Sequence, residues 1–443
     1  MSTTEDTLEL QNSEALLKDA SSFSPLGVPN CKWWAPDTFY IRRASGSRIF
    51  DVDNNEYLDF WCGAGPHILG HAPSEIIDGV VEAINEGNVQ FAMPNFRDVE
   101  VARKLSEFIP CAEKVALCVS GTDGILYAVR LARAYTGKTK IVKFDGGYQG
   151  WADPVAVNNA PDSYNTGETK YATDSAGIPP DAYGNTIILP YNDIETAAIA
   201  LKHQQDEIAA VLVETMIHSS NLIARPDFLE GLRTICDELG IVLIFDEIVT
   251  GFRHGLGGGQ AIYGVTPDLG VFGKAMASGY VIAAIVGKNK IMSLAAPEGT
   301  VRIAGTFGGN ALGTAAALST LKVLARPGFY EYLYKLGDIV RNGINEAITE
   351  RGLKARCDGF GSVWCMYFSE VQPQNHQDVV EYRQSGGAAM DQTYRAYMQR
   401  KGIFIRQQLV NRAYISAAHT EEDMYRTVEA TAAFLDIHAE GLK

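Results

Sequence analysis

The stretch VLIFDEIVTGFRHG, residues 242–255, decides the fold, because it places two carboxylates directly after an apolar run. Four apolar residues lead into Asp246 and Glu247. Short apolar runs of this kind are typical of strands buried on both faces, and such strands do not tolerate unpaired negative charge. We therefore expect a positive partner for Asp246 near the end of this strand.

The segments around this stretch alternate between short apolar runs and helical patterns. Further strand-like runs lie at 115–120, 141–144, 209–214, 268–273 and 281–287, and the segments after 120 and 225 have helical spacing. Strand–helix alternation from about residue 75 to 325 predicts an α/β fold, with a parallel or mostly parallel sheet covered by helices.

Both ends of the chain depart from this alternation. Residues 36–60 predict a small hairpin around Asn54 and Asn55, and residues 326–443 predict two helical segments with short strands between them. We predict a large domain at 71–325 and a small α+β domain assembled from 1–70 and 326–443. The segment 152–186 is dense in Gly, Pro, Asn, Asp and Ser, which predicts a functional loop that closes over the site.

Composition narrows the class of protein. The 443 residues are 46% hydrophobic and 21% charged, as in ordinary soluble globular proteins. The net charge of −15 argues against nucleic-acid partners and against an anionic membrane surface. The 7 cysteines form no CxxC pair, and the sequence shows neither a signal peptide nor a transmembrane stretch. We expect a cytoplasmic protein.

Lys274 is the candidate partner of Asp246. It follows an apolar strand and a glycine, 28 positions after Asp246. A lysine there would lie at the carboxyl edge of the sheet, where open α/β sheets bind ligands. Lys274 is either a solvated lysine paired with Asp246 or a desolvated nucleophile that forms a Schiff base with a carbonyl.

Two further strand ends carry candidate ligand contacts. Ser120, Gly121 and Thr122 lie where a strand ends and a helix begins, which predicts an anion site but also fits an ordinary helix cap. Tyr148 follows two glycines just past another strand. Its ring would either stack on a flat ligand or pack in the core.

In this order, the motifs resemble those of class III pyridoxal-phosphate (PLP) aminotransferases of fold type I, over about residues 35–435. The class signature is matched by Asp246-Glu247-Ile248, Gly251-Phe252-Arg253, Asp268-Leu269 and Gly273-Lys274. Several stretches are similar to the glutamate-1-semialdehyde aminomutase subgroup in particular, namely FDVDNNEYLDF (50–60), SGTDG (120–124), GGYQGWAD (146–153), GTFGGN (305–310) and SAAHTEED (416–423).

The resemblance implies a fold type I enzyme with a mostly parallel seven-stranded sheet and PLP as its cofactor. By the same resemblance, Lys274 would hold PLP as a Schiff base and later move the substrate proton. Asp246 would pair with the pyridine nitrogen, and Ser120, Gly121 and Thr122 would hold the phosphate.

The remaining cofactor contacts also come from the resemblance. Tyr148 and Ile248 would cover the two faces of the ring. Glu214 would lie near the cofactor, although a purely structural carboxylate is equally compatible with its position. Thr306 would reach the phosphate across a subunit interface, which implies a homodimer with shared active sites.

The substrate side departs from the subgroup. Trp33 falls near the position of its carboxylate-binding arginine, Ala64 replaces a tryptophan, and Ser219 replaces an asparagine that contacts the cofactor. Arg412 is a candidate replacement for the lost carboxylate contact, or a surface arginine.

These changes argue against the aminomutase reaction. They favour an aminotransferase with a different, bulkier substrate, which moves an amino group from an amine or amino acid donor to a carbonyl acceptor. The alternatives are glutamate-1-semialdehyde 2,1-aminomutase or another PLP enzyme of this fold, such as a racemase or decarboxylase. A non-catalytic relative and a nucleotide-dependent dehydrogenase are disfavoured, the latter because GLGGGQ (255–260) lacks the third glycine.

Overall fold

The computed structural model describes residues 8–25, 38–87, 93–159, 172–406 and 412–443. Its strands are β1 (Ile41–Ser45), β2 (Arg48–Asp51), β3 (Glu56–Asp59), β4 (Lys114–Cys118), β5 (Lys140–Phe144), β6 (Thr186–Leu189), β7 (Ile208–Glu214), β8 (Met216–Ile217), β9 (Leu222–Ile223), β10 (Val242–Glu247), β11 (Leu269–Phe272), β12 (Ala283–Gly287), β13 (Arg356–Asp358), β14 (Val363–Tyr367), β15 (Ile403–Phe404) and β16 (Ala413–Tyr414).

Helices connect and cover these strands. They are α1 (Gln11–Ala20), α2 (Ser74–Asn85), α3 (Phe96–Phe108), α4 (Gly121–Thr136), α5 (Pro180–Tyr183), α6 (Ile194–His203), α7 (Pro226–Leu239), α8 (Gly258–Tyr263), α9 (Asn289–Met292), α10 (Ala311–Leu324), α11 (Phe329–Arg351), α12 (His376–Gln384), α13 (Gly387–Arg400) and α14 (Glu421–Ile437). None of the described helices combines the length and the apolar character needed to cross a membrane.

The central sheet has seven strands in the order β4-β12-β11-β10-β7-β5-β6. β12 runs antiparallel to both of its neighbours, and the other neighbouring strands pair in parallel. This confirms the predicted α/β fold with a mostly parallel seven-stranded sheet. The sequence analysis missed β6, which begins at the end of the polar segment 152–186; residues 160–171 of that segment lie outside the described residues.

The apolar run that opened the sequence analysis is the middle strand of this sheet. All side chains of β10 are buried. It pairs in parallel with β7 on one side and β11 on the other, so helices can cover both of its faces. Burial contributes roughly 1.5–3 kcal/mol for each large apolar side chain. This explains why the run is uninterrupted until Asp246.

Both chain ends contribute to smaller sheets beside this core. β1, β2 and β3 form an antiparallel meander of two hairpins, and the predicted hairpin is the one between β2 and β3. β15 extends this sheet by pairing in parallel with β3. The prediction of two helical segments after residue 326 is wrong, because α11, α12, α13 and α14 all lie there. Gly386, at φ 91°, separates two of these helices. The domain boundaries at 70 and 325 stay a prediction.

Candidate active site

The carboxyl ends of β7, β10 and β11 bring three predicted residues to one edge of the sheet. Glu214 ends β7, and the parallel register places it directly beside Asp246 on β10. Lys274 follows β11 and begins a 3₁₀ turn, with φ of 44°. A left-handed backbone costs a non-glycine residue about 1–2 kcal/mol. Strain of this kind is typical of functional sites.

Asp246 and Lys274 shift each other's pKa without forming an ion pair. Burial raises the pKa of Asp246 to about 7, against the opposing effects of the Ile248 amide, which donates to its Oδ1 at 3.0 Å, and of the Lys274 charge. Burial lowers the pKa of Lys274 to about 8, and the charge of Arg412 lowers it further. Within the described residues, the Lys274 amine has no hydrogen bond or ion pair. An appreciable fraction of this amine is therefore neutral near pH 7.

Glu247, the second carboxylate of the opening stretch, has a different environment. It accepts hydrogen bonds from the Thr250 hydroxyl and from the amides of Gly259, at 2.9 Å, and Gln260, at 3.0 Å. Burial raises its pKa. These bonds secure the loop between β10 and α8, so Glu247 is structural and Asp246 is the carboxylate available to a ligand.

The predicted anion site is the N-terminus of α4. Ser120 caps this helix of 16 residues, and Asp123 closes a capping box by accepting the Ser120 amide at 3.1 Å. The amides of Gly121 and Thr122 have no acceptor among the described residues. A Cβ on Gly121 would lie 2.3 Å from Cδ1 of Ile248, so a larger residue here would displace the Ile248 side chain. Together these features form an anion cup, defined by residues 120–122, with Ile248 against one side.

Tyr148 lies on a loop that packs against this cup. A Cβ on Gly150 would lie 2.5 Å from Oγ1 of Thr122. Glu214 secures the loop by accepting the Tyr148 amide at 2.9 Å and the Gln149 side chain at 3.1 Å. Tyr148 is 41% exposed, and partial burial raises its pKa, with smaller contributions from the charges of Asp174 and Asp246. Its ring is therefore at the surface of the site and not in the core.

Glu214 itself is buried, and its environment favours the neutral acid. Burial and then the charge of Asp246 raise the pKa of Glu214 to about 8, whereas the charge of Arg412 lowers it. The structure thus brings Glu214 next to the predicted cofactor residues and gives it a structural task there.

On the predicted substrate side, Ala64 and Arg412 both lie near Tyr414. Ala64, at φ 76°, lies in a left-handed turn over residues 62–65 and packs against the cluster that contains Tyr414. Arg412 donates from Nε to the Tyr414 hydroxyl, and its guanidinium lies 5.6 Å from the Tyr414 ring. Trp33, the third predicted substrate residue, lies outside the described residues.

Two predicted residues have other surroundings. Thr306 is exposed on the loop before α10, and this loop passes the end of β4, where a Cβ on Gly308 would lie 3.2 Å from the Leu117 carbonyl oxygen. Ser219 donates its hydroxyl to the carbonyl of Gly146, and so fixes the loop that carries Tyr148.

Arg253 lies near the site and makes contacts that its position in the sequence does not indicate. Its buried guanidinium donates to the carbonyls of Gly65 and, at 2.7 Å, Ile415. It thereby joins the sheet edge to both chain ends, and its charge helps to lower the pKa of Lys274. The TGFR motif (250–253) contains it, but nothing local in the sequence indicates partners 188 and 162 residues away.

Comparison with known proteins places this geometry in a family. The family model described as aminotransferase class-III matches residues 33–413. A protein of Brevibacillus brevis named glutamate-1-semialdehyde 2,1-aminomutase 2 is 37% identical over 426 residues, which is 95% of this chain and 97% of that protein. The chain belongs to the class III aminotransferases. Membership confirms the predicted family and the expectation of a PLP-dependent enzyme.

Solved structures agree with this class III assignment. An omega-transaminase from Sphaerobacter thermophilus superposes with a TM-score of 0.88 at 31% identity, covering 96% of this chain and 97% of that one. A structure titled transaminase with PLP bound gives a TM-score of 0.88 at 29% identity, covering 98% and 100% of the two chains. These neighbours confirm the predicted fold type I architecture. The roles of individual residues stay predictions.

Proposed function

We propose that this class III aminotransferase moves an amino group from an amine or amino acid donor to a carbonyl acceptor, with PLP held on Lys274. The observation that carries the proposal is the position of the Lys274 amine. It has a lowered pKa and no ion pair with any residue that the structure describes, and it shares a sheet edge with Asp246 and the anion cup. Such an amine is suited to covalent catalysis with a carbonyl compound.

The surrounding residues fit the parts of PLP. The free amides of Gly121 and Thr122, with Ser120 at the positive end of α4, would bind the phosphate. Asp246 would accept a hydrogen bond from the protonated ring nitrogen and keep the proton there. Ile248, which contacts the cup, and Tyr148 would cover the ring.

The proton chemistry would fall to Lys274. When bound, PLP supplies an electron-withdrawing ring that stabilises negative charge at the substrate carbon. A Lys274 amine with a pKa of about 8 can accept a proton from that carbon and return it near neutral pH. Burial keeps this pKa low, helped by the charges of Arg412 and Arg253 and opposed by that of Asp246.

The substrate side offers a candidate contact for a substrate carboxylate. Ala64 packs against the cluster that contains Tyr414, and Arg412, whose charge acts on the Lys274 amine, carries a guanidinium that could bind a carboxylate. We propose Arg412 as the carboxylate contact and, by sequence position alone, Trp33 as an apolar wall.

The second candidate is glutamate-1-semialdehyde 2,1-aminomutase or another PLP-dependent aminomutase. The curated relatives favour it over the first candidate, since proteins of that name are 37% identical over 95% of this chain in Brevibacillus brevis and over 97% in Methanopyrus kandleri. An aminomutase would use the same Lys274 and Asp246, so these residues cannot separate the candidates.

One assay separates them. Cofactor-loaded protein is mixed with a panel of amines and amino acids, and the cofactor absorbance is followed before and after a keto acid is added. An aminotransferase loses the absorbance of the aldehyde form with a donor and regains it with an acceptor. Enzymatic isomerisation of glutamate-1-semialdehyde without any acceptor would instead establish the aminomutase.

We also propose a homodimer in which Thr306 contributes to the partner's phosphate site. Thr306 is exposed, and so are two apolar side chains near it: Phe307, which follows it, is 56% exposed, and Val281, whose carbonyl accepts from Asn310 Nδ2 at 3.0 Å, is 61% exposed. Light scattering should give about twice the 48.2 kDa chain mass. Phe307→Asp should yield monomers that bind PLP weakly, and a wild-type monomer with full PLP affinity would contradict the shared site. Cytoplasmic location stays a prediction.

A further inference from the structure

Lys143 is a buried charge in the middle of an apolar strand. Its side chain on β5 is 0% exposed, between the core residues Val142 and Phe144. Burial lowers its pKa to about 7, opposed by the charges of Asp174, Glu214 and Asp145. Burying an ammonium group carries a large desolvation cost. A methionine would fill the same space without that cost, so the charge needs a specific explanation.

The amine holds one short segment of the chain. Nζ donates to the carbonyls of Val155, at 2.9 Å, and Val157, at 2.6 Å, and to Oδ1 of Asn159. An ammonium group has three donors, so these contacts use all of them. The three acceptors lie within residues 155–159, which the amine fastens to the end of β5.

That segment in turn holds the turn before Tyr148. Between two of the acceptors lies Asn158, whose carbonyl accepts the Gly146 amide at 2.9 Å. Its side chain donates to Oδ1 of Asp145 at 2.7 Å. The backbone of Asn158 is left-handed, with φ of 52°, so its neighbours must hold it in place. Asn158 thus holds Asp145 and Gly146 in place, and Lys143 holds the segment that contains Asn158.

We propose that Lys143 is a positioning residue for the cofactor ring: through residues 155–159 it fixes the 145–148 turn and hence the Tyr148 side chain. This inference rests on the proposed cofactor site, because it assigns Lys143 a task only if Tyr148 covers PLP. Lys143 acts at a distance and contacts neither substrate nor cofactor.

The test is a double-mutant cycle on cofactor binding. Apo protein is titrated with PLP by absorbance for wild type, Lys143→Met, Tyr148→Ala and the double variant. We expect each single variant to raise the PLP dissociation constant about tenfold, equivalent to about 1.4 kcal/mol. Because both changes remove the same contact, the double variant should be no weaker than the worse single variant. Visible circular dichroism of bound PLP should change in the same way in both single variants.

Lys140→Met is the matched control, since Lys140 lies on the same strand and pairs with Glu207 at 2.8 Å away from the loop. It should bind PLP as wild type does. If Lys143→Met does not fold, Asn158→Gly replaces it, because glycine keeps the left-handed backbone and removes the bond to Asp145.

The outcomes are distinguishable. Suppose that Tyr148→Ala weakens PLP binding but Lys143→Met leaves the dissociation constant unchanged. That result overturns this inference and leaves the proposed function standing; the same holds for Asn158→Gly where it replaces Lys143→Met. The inference is also overturned if the double variant raises the dissociation constant by the product of the two single effects, since Lys143 would then act independently of Tyr148. A wild-type protein that does not bind PLP overturns the proposed function as well.

Discussion

The cofactor side and the substrate side of the site are built from different kinds of contact. On the cofactor side, Asp246 and Glu214 are neighbours in one parallel register, and Lys274 follows the next strand. On the substrate side, the contacts join distant parts of the chain: Cys62 and Tyr414, for example, meet across 352 residues. The difference indicates that the chemistry rests on a rigid sheet edge, whereas substrate preference depends on segments that can change independently of it.

The largest expected effect concerns the cofactor side. Lys274→Ala removes both the covalent attachment of PLP and the proton carrier, so the rate of amino transfer should fall by at least about 1000-fold. Stopped-flow absorbance of cofactor-loaded protein mixed with an amine donor measures this rate. Lys288→Ala is the control: it breaks an ion pair of 2.7 Å to Asp268, which keeps its second ion pair to Arg233, and it should react as wild type does. A small effect of Lys274→Ala would show that the sheet edge is not the reactive centre.

The adjacent carboxylates provide a sharper contrast on the same strand. Asp246→Asn should lower the transfer rate roughly 100-fold. A nearby opposite charge shifts a pKa by about 1–3 units, and without the Asp246 charge the pKa of the ring nitrogen would fall by that amount. Glu247→Gln should leave the rate close to that of wild type and lower the free energy of unfolding by about 1–3 kcal/mol, since it disturbs three buried hydrogen bonds. Urea unfolding and the same stopped-flow assay test both. Reversed effects would mean that the two carboxylates have been assigned the wrong roles.

On the substrate side, Arg412→Met should affect only substrates that carry a carboxylate. Losing a hydrogen bond to a charged group costs about 1.5–3 kcal/mol, so KM for such substrates should rise about 10- to 100-fold. Amines without a carboxylate should keep their KM, which makes them the internal control. An equal loss for both kinds of substrate would place Arg412 outside the substrate contacts.

The smallest effect concerns pH. Because only the neutral amine attacks a carbonyl, PLP capture by apo protein should accelerate about tenfold per pH unit below the Lys274 pKa of about 8 and level off above it. Asp246 raises this pKa, so Asp246→Asn should begin its plateau at lower pH. The rate at which butylamine, whose pKa is unshifted, reacts with free PLP is the reference, because it shows how the titration of PLP itself affects the rate. If the capture rate of the protein levelled off only near pH 10.5, that result would contradict a desolvated Lys274.

The same contrast explains what the sequence could predict. Asp246, Lys274 and the cup follow apolar runs, and parallel strands must end at a common edge, so local pattern was enough to group them. The partners of Arg253 and the contact between Arg412 and Tyr414 depend on how the chain ends fold back, which no local pattern encodes. Lys143 had a visible signal, a charge inside the apolar run IVKF (141–144), but its task appears only when residues 155–159 are in place.

Identifying the lysine that PLP occupies is the most direct measurement. Protein loaded with PLP is reduced with borohydride and digested, and the modified peptide is identified by mass spectrometry. We predict a single phosphopyridoxyl group on Lys274, absent in Lys274→Ala. Modification of another lysine, or no modification in protein saturated with PLP, would contradict it.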